Sequence, residues 1–202
     1  MHSAPPSLAR PAGVVVPIRA FTMGKARLAP ALDARARAEL AEEMADRVLD
    51  AARPLPTVIV SSAPEVRAWC ADHGLDRIDD PGSLDGAAAQ GAAWCAGHGL
   101  ERAIVAHADL PRATAGGLLR FAADGADRIV SIVPCHRSDG TPVLAVPTDV
   151  RFAFSYGPGS FRRHVESAGA ARCGVRIIRD PAFAFDVDLP QDLAHLRESA
   201  EL

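Results

Sequence analysis

Short apolar runs rich in β-branched residues alternate along this chain with longer stretches in which apolar residues recur every three or four positions, a pattern that predicts alternating strands and helices. Gly13 to Ile18 is too short for a helix and suits a strand buried on both faces. Thr57 to Ser61, Arg102 to His107 and Arg128 to Val133 repeat the type. Between them a loop runs to Pro30, and Asp33 is placed to cap a helix reaching about Ala52, where Leu40, Met44 and Val48 form one apolar stripe. Pro64 and Gly74 bracket a short helix, as proline at a first turn and glycine past a last one should. Ser83 or Asp85 caps an Ala-rich helix to Ala96 whose small residues would lie close on a sheet, and a further helix spans Thr114 to Ala123.

Beyond Pro134 the pattern loosens. It offers a strand at Val143 to Val146, a turn at Gly157-Pro158-Gly159, a helix capped by Ser160, and a strand at Val175 to Ile178. Phe183 to Asp188 alternates apolar and polar like an extended segment, and Pro190 starts a last helix. The whole predicts a single-domain three-layer αβα fold with a mostly parallel sheet over residues 13–202, behind a flexible tail at 1–12. In such folds ligands bind at irregular segments beyond the carboxyl ends of the strands.

Composition narrows the function. A net charge of -3 supplies no broad basic field, which argues against nucleic acid as main partner. Four cysteines without a CxxC pair read as free buried thiols, and neither a leader-like apolar stretch nor a membrane span stands out, so a cytoplasmic protein is expected. Of 22 basic residues only Lys25 is lysine, which marks it as a site wanting a compact point charge rather than a guanidinium; a chance survivor on a solvated loop is the alternative.

Asp109 follows a strand, where a carboxylate can face the ligand crevice and coordinate a hard cation; it reads equally as a cap for the helix after Pro111. Asp186 and Asp188, two apart in an extended segment, project to one face and repel unless a cation or arginine neutralises them. Two loops suit phosphate: Met23-Gly24-Lys25-Ala26-Arg27-Leu28, and Gly157-Pro158-Gly159-Ser160 with Arg162 or Arg163 adding donors. Each could be plain connection. His107 and His164 have no nucleophile partner and read as structural.

Taken in order, Pro17-Ile18-Arg19, Gly24-Lys25-Ala26-Arg27-Leu28, His107-Ala108-Asp109-Leu110-Pro111, Asp139-Gly140-Thr141, Tyr156-Gly157-Pro158-Gly159-Ser160-Phe161 and Asp186-Val187-Asp188-Leu189-Pro190 resemble the guanylyltransferases that begin assembly of the deazaflavin coenzyme F-420. The resemblance implies a nucleotide-diphospho-sugar-transferase-like fold and transfer of GMP from GTP to a phosphorylated three-carbon acid, phosphoenolpyruvate in the branch it most resembles, with 2-phospho-L-lactate or 3-phospho-D-glycerate as alternatives. A non-catalytic nucleotide-binding module is the alternative of another class. By resemblance Asp109, Asp186 and Asp188 bind two magnesium ions, Lys25, Arg27 and Gly82 meet the nucleotide, Lys25 and Asp109 act in catalysis, and Thr141, Gly157 and Ser160 hold the phospho-acid. A downstream transferase that consumes the product is an implied partner. The chain departs from the family pattern at Arg19, commonly lysine, and at Leu84-Asp85-Gly86, commonly Leu-Asn-Ala; Pro142 also removes a backbone donor beside Thr141.

Overall fold

The structure is a computed structural model that describes residues 11–123 and 128–200, and the side chains only to residue 198. Most of the tail expected at 1–12 lies outside the described residues. Ala12 does not belong to a tail: it is buried and opens the first strand. The strands are β1 (Ala12–Pro17), β2 (Thr57–Val60), β3 (Asp76–Ile78), β4 (Arg102–Ala106), β5 (Ile129–Val133), β6 (Val143–Pro147) and β7 (Gly174–Ile177). They form one sheet in the order β3-β2-β1-β4-β6-β5-β7. β6 runs against both of its neighbours while every other pair is parallel, so the sheet is mostly parallel.

The helices are α1 (Ala34–Ala52), α2 (Pro64–His73), α3 (Leu84–Gly97), α4 (Ala115–Ala123), α5 (Ser160–Ala170), the four-residue α6 (Pro181–Ala184) and α7 (Pro190–Ala200), with one 3₁₀ turn at Ala26–Leu28. Alternation along the strands sends Val14, Val16, Ile59 and Ile104 to one face, where Val48 of α1, Trp69 of α2, Phe121 of α4 and Phe183 of α6 cover them. Val15, Val58, Val105 and Leu144 face the other way, against Ala87, Ala88 and Cys95 of α3 and Ala168 of α5. The fold is therefore three-layered α/β. All four cysteines are free and buried, and no helix among the described residues is long and apolar enough to cross a membrane.

Local chemistry explains most boundaries. Asp33 Oδ1 accepts the Ala36 amide at 2.8 Å, which caps α1. Ser83, not Asp85, caps α3 through its hydroxyl to the Gly86 amide. Gly74 closes α2 in the left-handed region. One strand was not anticipated and two expectations need correction. β3 lacks an apolar run and is held only as an edge strand on β2. Ser160 is the first residue of α5 and makes no cap bond, since Gly159 at φ 74° stands at the cap. Phe183 and Ala184 complete α6 instead of extending a strand, although Phe183, Phe185 and Val187 are buried as the alternation implied.

The reversed strand shapes the functional rim. Val143 at the start of β6 pairs with Ala106 and Val133 at the ends of β4 and β5, so the segment before β6 emerges where the parallel strands finish. After β6 the chain returns along the second face as an aromatic ladder, with Phe152 and Phe154 at 5.1 Å and Phe154 stacked on Tyr156 at 6.4 Å. Tyr156 thereby reaches the rim, 5.4 Å from the His107 ring.

α3 lies against β1 so closely that a Cβ on Gly91 would fall 2.0 Å from Val15 Cγ1. Alanine gains about 1 kcal/mol of helix propensity, but overpacking a stiff β-branched neighbour costs roughly 1–3 kcal/mol or more. Gly91→Ala should therefore destabilise the protein, whereas Gly169→Ala in α5, with open space around its added methyl, should be neutral or stabilising. Urea unfolding of both variants checks this, and a Gly91→Ala protein as stable as the parent would contradict the packing.

Candidate active site

Acids from distant stretches meet beyond the ends of β1 and β4. Lys25 Nζ donates to Asp109 Oδ2 at 2.6 Å and to Asp188 Oδ1 at 3.2 Å. The Lys25 side chain is only 8% exposed, against 24% for Asp109 and 37% for Asp188. Burial alone would lower the Lys25 pKa, but Asp109 and then Asp188 outweigh it and hold the ammonium above its usual range. The converse holds at Asp109, where burial is opposed by Lys25 and His107 and the carboxyl ends below the usual range. At Asp186 the compensation falls short, although His136 Nδ1 lies 3.1 Å and Arg137 Nη1 3.6 Å from its Oδ1. Burial, Asp109 and Asp188 together push its carboxyl up.

Lys25 adopts φ 57°, the left-handed region that a side chain enters at a cost of order 1 kcal/mol or more. A 3₁₀ turn follows it, and Leu28 anchors that turn in a cluster with Met44, Phe185, Val187 and Leu193. One apolar cluster thus fixes both the lysine loop and the segment carrying Asp186 and Asp188.

A second set of side chains, not found by sequence reasoning, holds that segment from behind. Arg137 Nη2 donates to both oxygens of the buried Asp192, at 2.8 and 2.7 Å. Asp192 Oδ2 in turn accepts the backbone amides of Asp188 and Leu189 at 3.0 and 2.8 Å. This is half of a capping box, an acid in the third helical position reaching back to the residue before the helix. His136 Nδ1 lies 3.1 Å from Asp186 Oδ1. The signal was present as Pro190 followed two residues later by an acid, but nothing in spacing linked it to Arg137.

The remaining candidates fall into three groups. Lys25, Asp109 and Asp188 line a cleft of about 290 Å³, together with Arg19 and His107. Gly82 lines an adjoining cleft of about 300 Å³ with Asp80 and Ser83, and the two share Arg19 and Leu84. Arg27 is 75% exposed and 3.9 Å from Asp188 Oδ2 at the mouth. Thr141 and Ser160 lie apart from these clefts, buried with their hydroxyls 3.4 Å apart, and Gly157 accepts the Ser160 amide through its carbonyl. Arg163 is not free to bind phosphate: it donates to Ser155 Oγ and to the carbonyls of Ser155, Tyr156 and Pro158. Arg162 is 82% exposed and pairs with Glu166.

Oxygen donors of this kind suit a hard divalent cation, and the buried Asp109 Oδ1 and Asp186 Oδ1 lack hydrogen-bond partners among the described residues. In the present arrangement Lys25 supplies the neutralising charge, and among the described residues no three acids, histidines or cysteines close into a metal-ligating group. The donor chemistry fits the ion, with the ammonium standing at the same carboxylates.

An open α/β sheet with a lysine and three acids gathered at the strand ends is the setting of a nucleotidyltransferase, and the chain is one. It superposes on a structure from Desulfovibrio desulfuricans G20 described as a candidate nucleotide-diphospho-sugar transferase, with a TM-score of 0.78, 16% identity and 94% of this chain and 87% of that one covered. The model for the family described as "Guanylyl transferase CofC like" matches residues 12–197, and the chain belongs to that family. It is 32% identical over 192 residues to a phosphoenolpyruvate guanylyltransferase of Rubrobacter xylanophilus, covering 92% of this chain and 93% of that protein. A 2-phospho-L-lactate guanylyltransferase of Methanocorpusculum labreanum is 37% identical over 94 residues, 46% of this chain and 43% of that one.

The charges predict opposite effects of two similar substitutions. Asp109→Asn leaves a buried ammonium short of a partner and should cost about 2 kcal/mol at neutral pH, less than a fully buried pair because Asp188 remains. Asp186→Asn removes an ill-compensated charge and should raise the unfolding temperature. Asp109 is held below its ordinary pKa, so its contribution is present above about pH 4 and fades as pH falls through the depressed folded value. Thermal unfolding between pH 8 and 3 should show the Asp109→Asn deficit closing in acid; an Asp186→Asn protein less stable than the parent at pH 7 would refute this account.

Proposed function

We propose that this protein transfers GMP from GTP to phosphoenolpyruvate, releasing pyrophosphate and forming a guanosine diphosphate-linked acid for coenzyme F-420 assembly. The observation that carries the reading is the lysine and paired aspartates converging on one cleft at the sheet rim, in a member of a guanylyl transferase family. Phosphoenolpyruvate is preferred over 2-phospho-L-lactate because the relative named for the former matches along nearly its whole length and the one named for the latter over less than half.

In this reading a phosphate oxygen of the acid attacks the α-phosphorus of GTP in line, that bond forms as the bond to the bridging oxygen breaks, and pyrophosphate leaves. A phosphate monoester is largely doubly ionised at neutral pH, so no protein base has to remove a proton. The protein's task is to align two anions and offset their repulsion. Lys25 contributes its ammonium to the nucleotide phosphates, Arg27 adds charge at the mouth of the cleft, and Gly82 lines the adjoining cleft for the nucleoside. Thr141, Gly157 and Ser160 hold the acid. Asp109, Asp186 and Asp188 would hold magnesium, in our reading two ions, which when bound supply positive charge that shields the phosphates. The product then passes to a downstream transferase.

Incubation of the pure protein with GTP, magnesium and each of phosphoenolpyruvate, 2-phospho-L-lactate and 3-phospho-D-glycerate, with pyrophosphate as readout, tests the assignment. Release should depend on an added acid and be fastest with phosphoenolpyruvate; faster release with another acid reassigns the acceptor, and GTP binding without release with any acid removes the enzymatic reading. Asp188→Asn should lower turnover by about 100-fold, on the order of 3 kcal/mol of transition-state stabilisation, while the protein still folds. Turnover near the parent level would take Asp188 out of the machinery.

A further inference from the structure

His164 is fully buried, and every hydrogen bond of its ring can be assigned. The Ser155 backbone amide lies 3.0 Å from Nε2. An amide can only donate, so Nε2 carries the lone pair and the hydrogen of the neutral ring sits on Nδ1. Nδ1 is 3.0 Å from Thr141 Oγ1 and therefore donates to it. Burial, reinforced by Arg163 and His107 and opposed by Asp85, pushes the ring pKa down to about 4, so the ring is neutral at pH 7.

The polarity of this ring decides what Thr141 and Ser160 can offer a ligand. The ring N–H and the two hydroxyls together carry three hydrogens. One is used between His164 and Thr141 and one between the hydroxyls, 3.4 Å apart, which leaves one. With the ring hydrogen on Nε2 instead, Thr141 would donate to Nδ1 and Ser160 to Thr141. No hydroxyl hydrogen would remain, and the pair would turn only lone pairs toward an anion.

We propose that His164 is a positioning residue, which by keeping its hydrogen on Nδ1 leaves the Thr141–Ser160 pair one hydrogen to donate to the anionic acceptor. This rests on the reading that these two residues hold the phospho-acid. His164 does not touch the acid. It also explains why the ring is buried at the base of α5 against Tyr156 and Phe152, at 4.7 and 6.0 Å between centroids, where water cannot compete for either nitrogen.

Two measurements test it. Nitrogen-15 NMR of histidine-labelled protein at pH 7 should show His164 as a neutral ring protonated at Nδ1; protonation at Nε2 overturns the proposal without any mutation. Steady-state kinetics of His164→Met should show the KM for phosphoenolpyruvate raised about tenfold or more, as the loss of a hydrogen bond to a charged group requires, with the KM for GTP within about twofold of the parent. His164→Gln should recover most of the loss, because its amide can accept from Ser155 and donate to Thr141. An unchanged acceptor KM in both variants, or equal rises for acid and GTP, overturns the role. If His164→Met does not fold, the Gln variant and the resonance assignment decide. A parent protein that turns over no phospho-acid ends the functional reading and the donor role with it, while the ring assignment stands separately.

Discussion

Carboxylates repel one another wherever a fold gathers them, and the rim of this sheet gathers three. Asp109 is delivered by the end of β4, and Asp186 and Asp188 by the segment leading to α7. The ammonium of Lys25 sits between two of them at 2.6 and 3.2 Å, and its compact charge presents both contacts from a single nitrogen, where a guanidinium would spread them over a plane. The arrangement is dear in other respects. Lys25 is buried and its backbone is left-handed, so the local sequence is not in its easiest conformation. The compensation is also partial, since Asp186 keeps a raised pKa and two carboxylate oxygens accept no hydrogen bond among the described residues. A site that leaves negative potential uncancelled is less stable than it could be and correspondingly more attractive to cations.

Topology makes that concentration of charge possible. A wholly parallel sheet would bring every strand to its end at the same rim and every strand's start to the other. Reversing β6 brings the Asp139–Thr141 loop to the rim as well, and obliges the chain to climb back along the second face as Phe152, Phe154 and Tyr156. The aromatic ladder is more than filling. It sets the height at which Tyr156 and Gly157 arrive, while His164 and Arg163 pin the same loop from α5. Behind the acids, the Arg137–Asp192 pair does similar work for the backbone of Asp188. Both are cases of side chains that hold the backbone of a candidate binding segment without facing the cleft themselves.

Much of this was legible in the sequence where the cause is local. Asp33 capping α1, Ser83 before α3, Gly74 after α2 and the β-branched cores of β1, β2 and β4 depend on neighbours a few residues away, so pattern and propensity suffice. β3 was not legible, because Asp76-Arg77-Ile78 has no strand character of its own and is recruited by the open edge of β2. The helical turn at Pro181–Ala184 hid inside an alternating pattern that was right about burial and wrong about conformation. Lys25 was singled out by rarity and the three acids by position and spacing, but that the lysine would pair with two of those acids could not be read off, since the residues are 84 and 163 positions apart. His164 was read as structural but its partners were not foreseen, and Asp192 escaped altogether, for the same reason: their partners are fixed by tertiary structure.

The departures from the family pattern at Leu84-Asp85-Gly86 have local causes that bear on how the two loops communicate. Asp85 does not turn to the Gly82 cleft: its Oδ1 accepts the Tyr156 amide at 2.6 Å, across the rim. An asparagine could accept the same amide, and the charge of aspartate makes the bond stronger. At Gly86 a Cβ would stand 2.7 Å from Pro81 Cγ and 3.0 Å from Ser83 Oγ, so alanine would press on the proline that shapes this turn and on the hydroxyl that caps α3. The pair of changes therefore reads as one adjustment. A tighter Pro81–Ser83 turn needs the glycine, and a firmer hold on Tyr156 follows from the carboxylate. The first turn of α3 then joins the cleft beside Gly82 to the loop that carries Gly157 through a single hydrogen bond of 2.6 Å.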